Sequence, residues 1–126
     1  DRYITLPFDI NPEIQVVAGW YKPIVKTKFH ELLAKLTTIS EAKQVWIEEF
    51  LPSSRSIAVK KEQLEMIGLY PDWLTSAGED SLLDIHLKQS CKNWAFAPDA
   101  VVWWKLRNTV NRNLQQYHHL LCCNRV

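Results

Sequence analysis

The sequence predicts a mainly α fold, a compact bundle of four to six helices preceded by an N-terminal extended arm or β-hairpin. Apolar residues recur at steps of three and four in several segments, which is the period of amphipathic helices. Only three of the 126 residues are Gly, and the breaks between the periodic segments are short. An apolar share of 47% with 23% charged residues is typical of a globular domain. We therefore expect one domain over residues 1–126, with an arm or hairpin at 1–21 and a helical core at 23–126.

The first predicted elements are extended. Apolar and polar side chains alternate in residues 2–10, and Pro7 restricts such a strand to a sheet edge or an extended arm. Asn11-Pro12 is typical of a turn, and residues 14–21 are predicted to return as a second strand. Two alternatives stay open, a hairpin and an arm lying over the helices.

Helices are predicted to follow. Pro23 can open the first one, because its fixed backbone angle suits a first helical turn. Ser40 is a good N-cap for a second helix at 41–51, and residues 60–67 are predicted to form a third that Gly68 ends. The first helix carries an apolar stripe of Phe29, Leu32, Leu33 and Leu36.

Further along, residues 70–74 predict a short turn-helix and residues 75–78 a loop. Residues 79–94 then have the apolar spacing of another amphipathic helix, and residues 95–98 are predicted to connect it to the last element.

The last predicted helix spans residues 100–123 and follows the start signal Pro98-Asp99. This stretch contains no Gly, Pro or acidic residue, and its apolar positions fall on one predicted face: Trp103, Leu106, Val110, Leu114, Tyr117, Leu120 and Leu121. Because successive helical residues are about 100° apart, Trp104 is expected to point away from that buried stripe.

The opposite face of this helix predicts the function. It is cationic or rich in amides, a composition that suits docking on another macromolecule. We expect a non-enzymatic interaction subunit or domain that docks on a larger assembly, with no cofactor and no metal. The contact residues are predicted to be Trp104, Lys105, Asn108, Asn111, Arg112, Gln115 and His119.

The alternative function is binding to the backbone of RNA or single-stranded DNA, as an accessory protein of a ribonucleoprotein or replication complex. The same donors suit phosphates and base edges, and aromatic rings can stack on unpaired bases. A net charge of only +1 and the lack of a recognised nucleic-acid motif weigh against it. Cations elsewhere could extend such a surface: Lys22, Lys26, Lys28, Arg55, Lys60 and Lys61.

Catalytic and metal patterns are weak. His118 and His119 lie one helical turn from Cys122 and Cys123, with Cys91 as a possible third ligand, but the spacing lacks the usual zinc knuckle. A second group, Asp84, His86 and Cys91, does not share one helix face, because His86 and Cys91 are five residues apart. The neighbours Glu48-Glu49 and Glu79-Asp80 are better explained as solvated helix ends. We therefore expect that the chain is not an enzyme.

No signal peptide is visible at the N-terminus, and no apolar run approaches the roughly 18–20 residues of a membrane span. Three Cys, two of them adjacent, favour reduced thiols. We expect an intracellular protein, cytoplasmic or nuclear, that does not act in a membrane.

Overall fold

The computed structural model describes residues 2–37, 52–69 and 79–106. In these residues four helices and three strands form an α/β arrangement: α1 (Arg2–Ile10), β1 (Val16–Ile24), α2 (Lys28–Thr37), β2 (Ile57–Val59), α3 (Lys61–Met66), α4 (Glu79–Ser90) and β3 (Trp94–Lys105). The prediction of a mainly α helical bundle is therefore wrong, as is the expectation of an all-α protein. The predicted helix at 41–51 and the turn-helix at 70–74 lie outside the described residues.

The sheet has the order β2-β1-β3. Strand β1 pairs antiparallel with β2, with Val17 opposite Ala58, and parallel with β3, with Val16 opposite Trp94. Residues 16–21 are all buried. A continuous apolar run is expected for a strand that is covered on both faces, so β1 is the centre of the sheet. The predicted strand at 14–21 is confirmed, but its partners are β2 and β3 rather than residues 2–10.

The two faces of the sheet carry separate cores. Val16 packs with Leu83, Leu87 and Cys91, and this side is called the α4 face. Val17 packs with Ala97 and Ala100, together with the α1 residues Ile4 and Phe8, and this side is called the α1 face. Adjacent strand residues point to opposite sides, which explains why neighbouring valines enter different cores.

Helix α1 replaces the predicted arm or hairpin strand. Ile4 and Phe8 lie one helical turn apart and both pack on the α1 face. Pro7 lies inside the helix, where it lacks the N–H of a helical bond, but its carbonyl still accepts from the N–H of Asn11 at 3.0 Å. In these nine residues, the partial burial of Ile4 and Phe8 on one helical face favours the helix over the alternating pattern.

Helix α2 begins later than predicted, at Lys28 rather than near Pro23, which lies in β1. Thr27 caps it: its Oγ1 accepts from the N–H of His30 at 3.1 Å, and its carbonyl accepts from Glu31 at 3.0 Å. Pro23 is tolerated because β2 pairs only with residues 16–18, so no strand among the described residues requires, on that side of β1, the N–H that Pro23 lacks.

Helix α3 confirms the predicted helix and its stop at Gly68. Gly68 has a φ of 87°, and its N–H donates to the carbonyl of Glu65 while Leu69 donates to Leu64 at 3.0 Å. These are the two bonds of a Schellman motif, in which the left-handed position favours Gly. Helix α4 confirms the start of the helix predicted at 79–94 but ends at Ser90.

Strand β3 is the largest correction. Residues 95–98, predicted as a connector, and 100–105, predicted as the start of a long helix, belong to one twelve-residue strand. Pro98-Asp99 lies in a bulge: Ala18 is opposite Phe96 but Trp20 is opposite Val101. The run of Val and Trp after it has high strand propensity, and pairing with β1 selects the strand. Residues 107–123 lie outside the described residues.

The bulge meets β1 and β2 at Gly19. The N–H of Gly19 donates to the Ser56 carbonyl at 2.8 Å, and Ser56 Oγ donates to the Ala100 carbonyl at 2.9 Å. A Cβ at position 19 would lie 2.0 Å from Ser56 Oγ and 2.7 Å from the Ala100 carbonyl oxygen. Only Gly allows the strands to approach this closely.

Candidate functional site

The best-defined polar site is the turn at residues 53–56, immediately before β2. The N–H of Ser56 donates to the Ser53 carbonyl at 3.0 Å, which closes the turn. Ser56 ties one end of the turn to Gly19 and Ala100. Ser54 ties the middle to helix α4, because its Oγ donates to Oδ2 of Asp80 at 2.8 Å. The turn is therefore held by the sheet and by a helix.

Arg55 extends from this turn over two aromatic rings on the α1 face. Its Cζ lies 4.0 Å from the centroid of the Trp104 ring and 5.2 Å from that of Tyr21. The Tyr21 and Trp104 rings meet edge to face at 6.3 Å. The Arg55 Nη1 also donates to Ser53 Oγ at 3.0 Å. We call Tyr21, Arg55 and Trp104 the Arg55 cluster. Ring faces attract a cation, so the guanidinium is oriented before any ligand arrives.

A second surface lies on the other side of the same two strands. Lys22 is opposite Trp103 in the register of β1 and β3, and Lys105 follows two residues later on the same side as Trp103. Trp103 is 65% exposed, which is high for the largest apolar side chain. We call Lys22, Trp103 and Lys105 the Trp103 face. It combines a large exposed ring with two cations.

A third feature is a pair of carboxylates on α4. Asp84 is buried, with 4% of its surface exposed, and lies one helical turn from Asp80. Loss of solvation, and to a smaller extent the negative charge of Asp80, together raise the pKa of Asp84 from an ordinary 3.8 to about 7. A carboxyl with such a pKa can exchange a proton near neutral pH. Asp80, bonded to Ser54, connects this pair to the turn at 53–56.

The predicted contact residues are only partly described. Trp104 and Lys105 lie in β3, whereas Asn108, Asn111, Arg112, Gln115 and His119 lie outside the described residues. The two tryptophans exchange the expected roles. Trp103, expected on a buried stripe, is exposed, and Trp104, expected to be exposed, is half-buried beneath Arg55.

The cations named for the alternative function separate into different places. Lys22 lies in β1 opposite Trp103, and Arg55 lies over the ring of Trp104. Lys60 instead donates to the Pro12 carbonyl, and Lys61 forms an ion pair with Glu65 at 3.5 Å. These two lysines are engaged locally and do not continue the surface around Arg55.

The Arg55 cluster itself was missed as a unit, because its three residues come from three separate elements. From the sequence, Arg55 is one of the cations that could extend a nucleic-acid surface and Trp104 is a predicted contact residue, but no spacing connects them to Tyr21. The one available signal was the run of three serines around Arg55, since serine hydroxyls often bond to nearby backbone in turns.

Thiol and metal chemistry find little support in the described ranges. Cys91 is buried in the core of the α4 face, and burial raises the pKa of its thiol, which disfavours the reactive thiolate. Among residues 2–37, 52–69 and 79–106, no three His, Cys, Asp or Glu side chains are grouped to hold a metal ion. The His118, His119, Cys122 and Cys123 group lies outside these ranges.

No protein-family model matches the chain, and no curated protein matches it at a significant level. None of the helices in the described ranges combines the length and apolarity needed to cross a bilayer.

Proposed function

We propose that the chain is a non-enzymatic interaction module that docks on a larger intracellular assembly through the Trp103 face. This surface takes the place of the long C-terminal helix as the proposed contact. The single observation that carries the proposal is that Trp103, in strand β3, is 65% exposed. Trp is among the residues most enriched at the energetic centres of interfaces.

Charge supports a partner with an acidic surface. Neither β1 nor residues 100–106 contain an Asp or Glu. Within the described residues, Lys22 and Lys105 form no ion pair, while the two ion pairs present lie on helices, between Lys35 and Glu31 and between Lys61 and Glu65. Lysines beside an exposed ring steer an acidic partner toward the ring and raise the rate of association.

Site-specific crosslinking tests this proposal. A photoreactive phenylalanine at position 103 is expected to crosslink to a partner in cells, and the same residue at position 3 serves as the matched control. Tyr3 is also aromatic and 60% exposed, but it lies on α1. Equal crosslinking from both positions, or none from position 103, contradicts the proposed surface. An adduct that nuclease reduces to the size of the uncrosslinked chain would favour the nucleic-acid alternative.

The carboxylate pair favours a second candidate function, general acid–base catalysis. Asp84 is buried, has a pKa of about 7 and lies one helical turn from the carboxyl group of Asp80, so it can gain or lose a proton near neutral pH. Asp80 accepts a hydrogen bond from Ser54, the residue before Arg55 in the chain, so a carboxylate base is attached to the same turn as a cation that can bind an anionic substrate. In this candidate, Asp80 is the base and Asp84 modulates its charge.

Asp80→Asn tests the second candidate, because the amide keeps the size of the side chain and loses the basic oxygen. The chain is assayed against chromogenic ester, phosphate and glycoside substrates at pH 6 to 8. Turnover by the wild type that falls at least about a hundredfold in Asp80→Asn supports it. Turnover that is absent, or the same in both proteins, rejects it. Glu62→Gln, on the exposed side of α3, is the matched control.

A further inference from the structure

We infer that the Arg55 cluster is a binding site for a phosphate group, on the opposite side of the sheet from the Trp103 face and independent of it. The guanidinium of Arg55 is held in one orientation. The Arg55 guanidinium lies 4.0 Å above Trp104, and Nη1 donates to Ser53 at 3.0 Å. An arginine fixed in this way loses less conformational entropy when it binds an oxyanion than an unrestrained one does.

The backbone that carries Arg55 is anchored on both sides. Ser54 and Ser56, the residues on either side, bond to Asp80 and to the Ala100 carbonyl, at 2.8 and 2.9 Å. Arg55 is exposed although both of its neighbours are tied to the fold. A guanidinium on an exposed but anchored turn is accessible to a ligand and does not have to be immobilised first.

The positive charge of Arg55 is not neutralised by a carboxylate among the described residues. In the described part of the chain Arg55 forms no ion pair, since its polar contact is the neutral Ser53 hydroxyl. Asp80, the carboxylate tied to this turn, is bonded to Ser54 instead. A guanidinium has five N–H donors in a planar fork, so donors remain for an oxyanion after the bond to Ser53.

The number of hydrogen-bond donors at the site favours a phosphate group over a carboxylate. Ser53 Oγ accepts from Arg55, so its own hydroxyl hydrogen is left to donate, and no described acceptor takes it. The Ser53 hydroxyl and the guanidinium therefore present donors side by side. A phosphate group offers at least one more acceptor oxygen than a carboxylate and matches the arginine fork in a bidentate way.

The test is a titration of the full chain with inorganic phosphate, followed by NMR of the arginine and tryptophan side-chain N–H groups. Arg55→Ala is expected to raise the dissociation constant at least about tenfold, because hydrogen bonds to charged groups are lost. Arg55→Lys keeps the charge without the planar fork, so it is expected to weaken binding by a smaller factor. Arg2→Ala, which removes an exposed arginine from α1, is expected to change nothing.

Three results overturn the inference: phosphate binds Arg55→Ala as tightly as wild type, Arg55→Lys binds like wild type, or Arg2→Ala weakens binding as much as Arg55→Ala. Unchanged backbone spectra outside the turn show that the variants remain folded. A second pair of titrations identifies the source of the phosphate. Tighter binding of a five-nucleotide thymidine strand assigns a phosphodiester backbone, and tighter binding of phosphoserine assigns a phosphomonoester. Binding of neither overturns the site.

Discussion

Replacing Asp84 by Asn is expected to stabilise the protein at neutral and higher pH and to have little effect near pH 4. Asp84 is 4% exposed and belongs to the helix that packs on Val16 through Leu83 and Leu87. Burial and, to a smaller extent, the charge of Asp80 raise the pKa of its carboxyl from 3.8 to about 7. Asn has nearly the same shape and carries no charge at any pH, so the substitution isolates the cost of burying the carboxylate.

The sign and size of the effect follow from proton linkage. The folded-state pKa of Asp84 is raised, so the folded protein holds a proton that the unfolded chain releases near pH 4. The contribution of Asp84 to stability is fully present below pH 3.8 and is lost as the pH rises to about 7. Each pH unit is worth about 1.4 kcal/mol, so about three units correspond to a loss of about 4 kcal/mol.

Urea denaturation of wild type and Asp84→Asn at each pH from 4 to 8 measures this directly. Other groups titrate in the same range, so the informative quantity is the difference between the two unfolding free energies at each pH. That difference is expected to grow from near zero at pH 4 to about 4 kcal/mol above pH 7 in favour of Asn. A difference that stays constant with pH refutes the raised pKa. A difference that grows toward low pH would mean that the pKa of Asp84 is lowered rather than raised.

Three further substitutions test the backbone features that position the site. Gly19→Ala is expected to lower the free energy of unfolding, measured by urea denaturation, by about 3 kcal/mol, because its Cβ meets Ser56 Oγ and the Ala100 carbonyl. Adding Ser56→Ala is expected not to restore stability, since the carbonyl contact at 2.7 Å remains. Gly68→Ala has open space around it but a φ of 87°, so it is expected to cost only about 1 kcal/mol in the same assay, and a cost as large as that of Gly19→Ala would contradict this steric explanation. Thr27→Ala removes the cap of α2 and is expected to cost about 1 kcal/mol, measured by thermal melting against Thr27→Ser, which keeps the hydroxyl and is expected to remain within a few tenths of wild type.

Local signals in the sequence predicted several elements correctly. Gly68 ends α3 as expected, because a glycine after a helical pattern adopts the left-handed conformation that closes a Schellman motif. The buried pair Leu83 and Leu87 marks the face of α4 that contacts the sheet. Each of these features depends on residues within one or two helical turns, which is the range over which a pattern carries information.

The start of the chain shows where a pattern becomes ambiguous. In residues 2–10, Ile4 and Phe8 are four apart, which satisfies a helical period and an alternating one at the same time. Pro7 was an argument for an edge strand, but α1 accommodates it at the loss of one backbone bond. Packing of Ile4 and Phe8 against Val17 decides between the two periods, and that contact is not visible in a nine-residue window.

The largest error, at residues 100–105, has a different origin. The apolar spacing that predicts a helix there includes residues well beyond Lys105. The strand is instead selected by the pairing of β3 with β1, which is far away in the sequence. Such non-local pairing leaves little trace in the periodicity of either strand. The Arg55 cluster could not be predicted for the same reason, since Tyr21 and Trp104 become neighbours only when β1 and β3 pair.

The bulge in β3 explains which tryptophan reaches Arg55. Between Ala18 and Trp20 the central strand advances by two residues, while β3 advances from Phe96 to Val101, so β3 contains three extra residues. An odd number of extra residues exchanges the two sides of a strand, because side chains alternate with a period of two. Trp104 is therefore directed to the α1 face with Tyr21 and Arg55, and Trp103 to the α4 face with Lys22. With an even number of extra residues, Trp103 would face Tyr21 and Arg55, and Trp104 would lie on the side of Lys22. The segment at residues 97–100 therefore determines the composition of both proposed surfaces, although the sequence predicts it to be the end of a connector and the start of a helix.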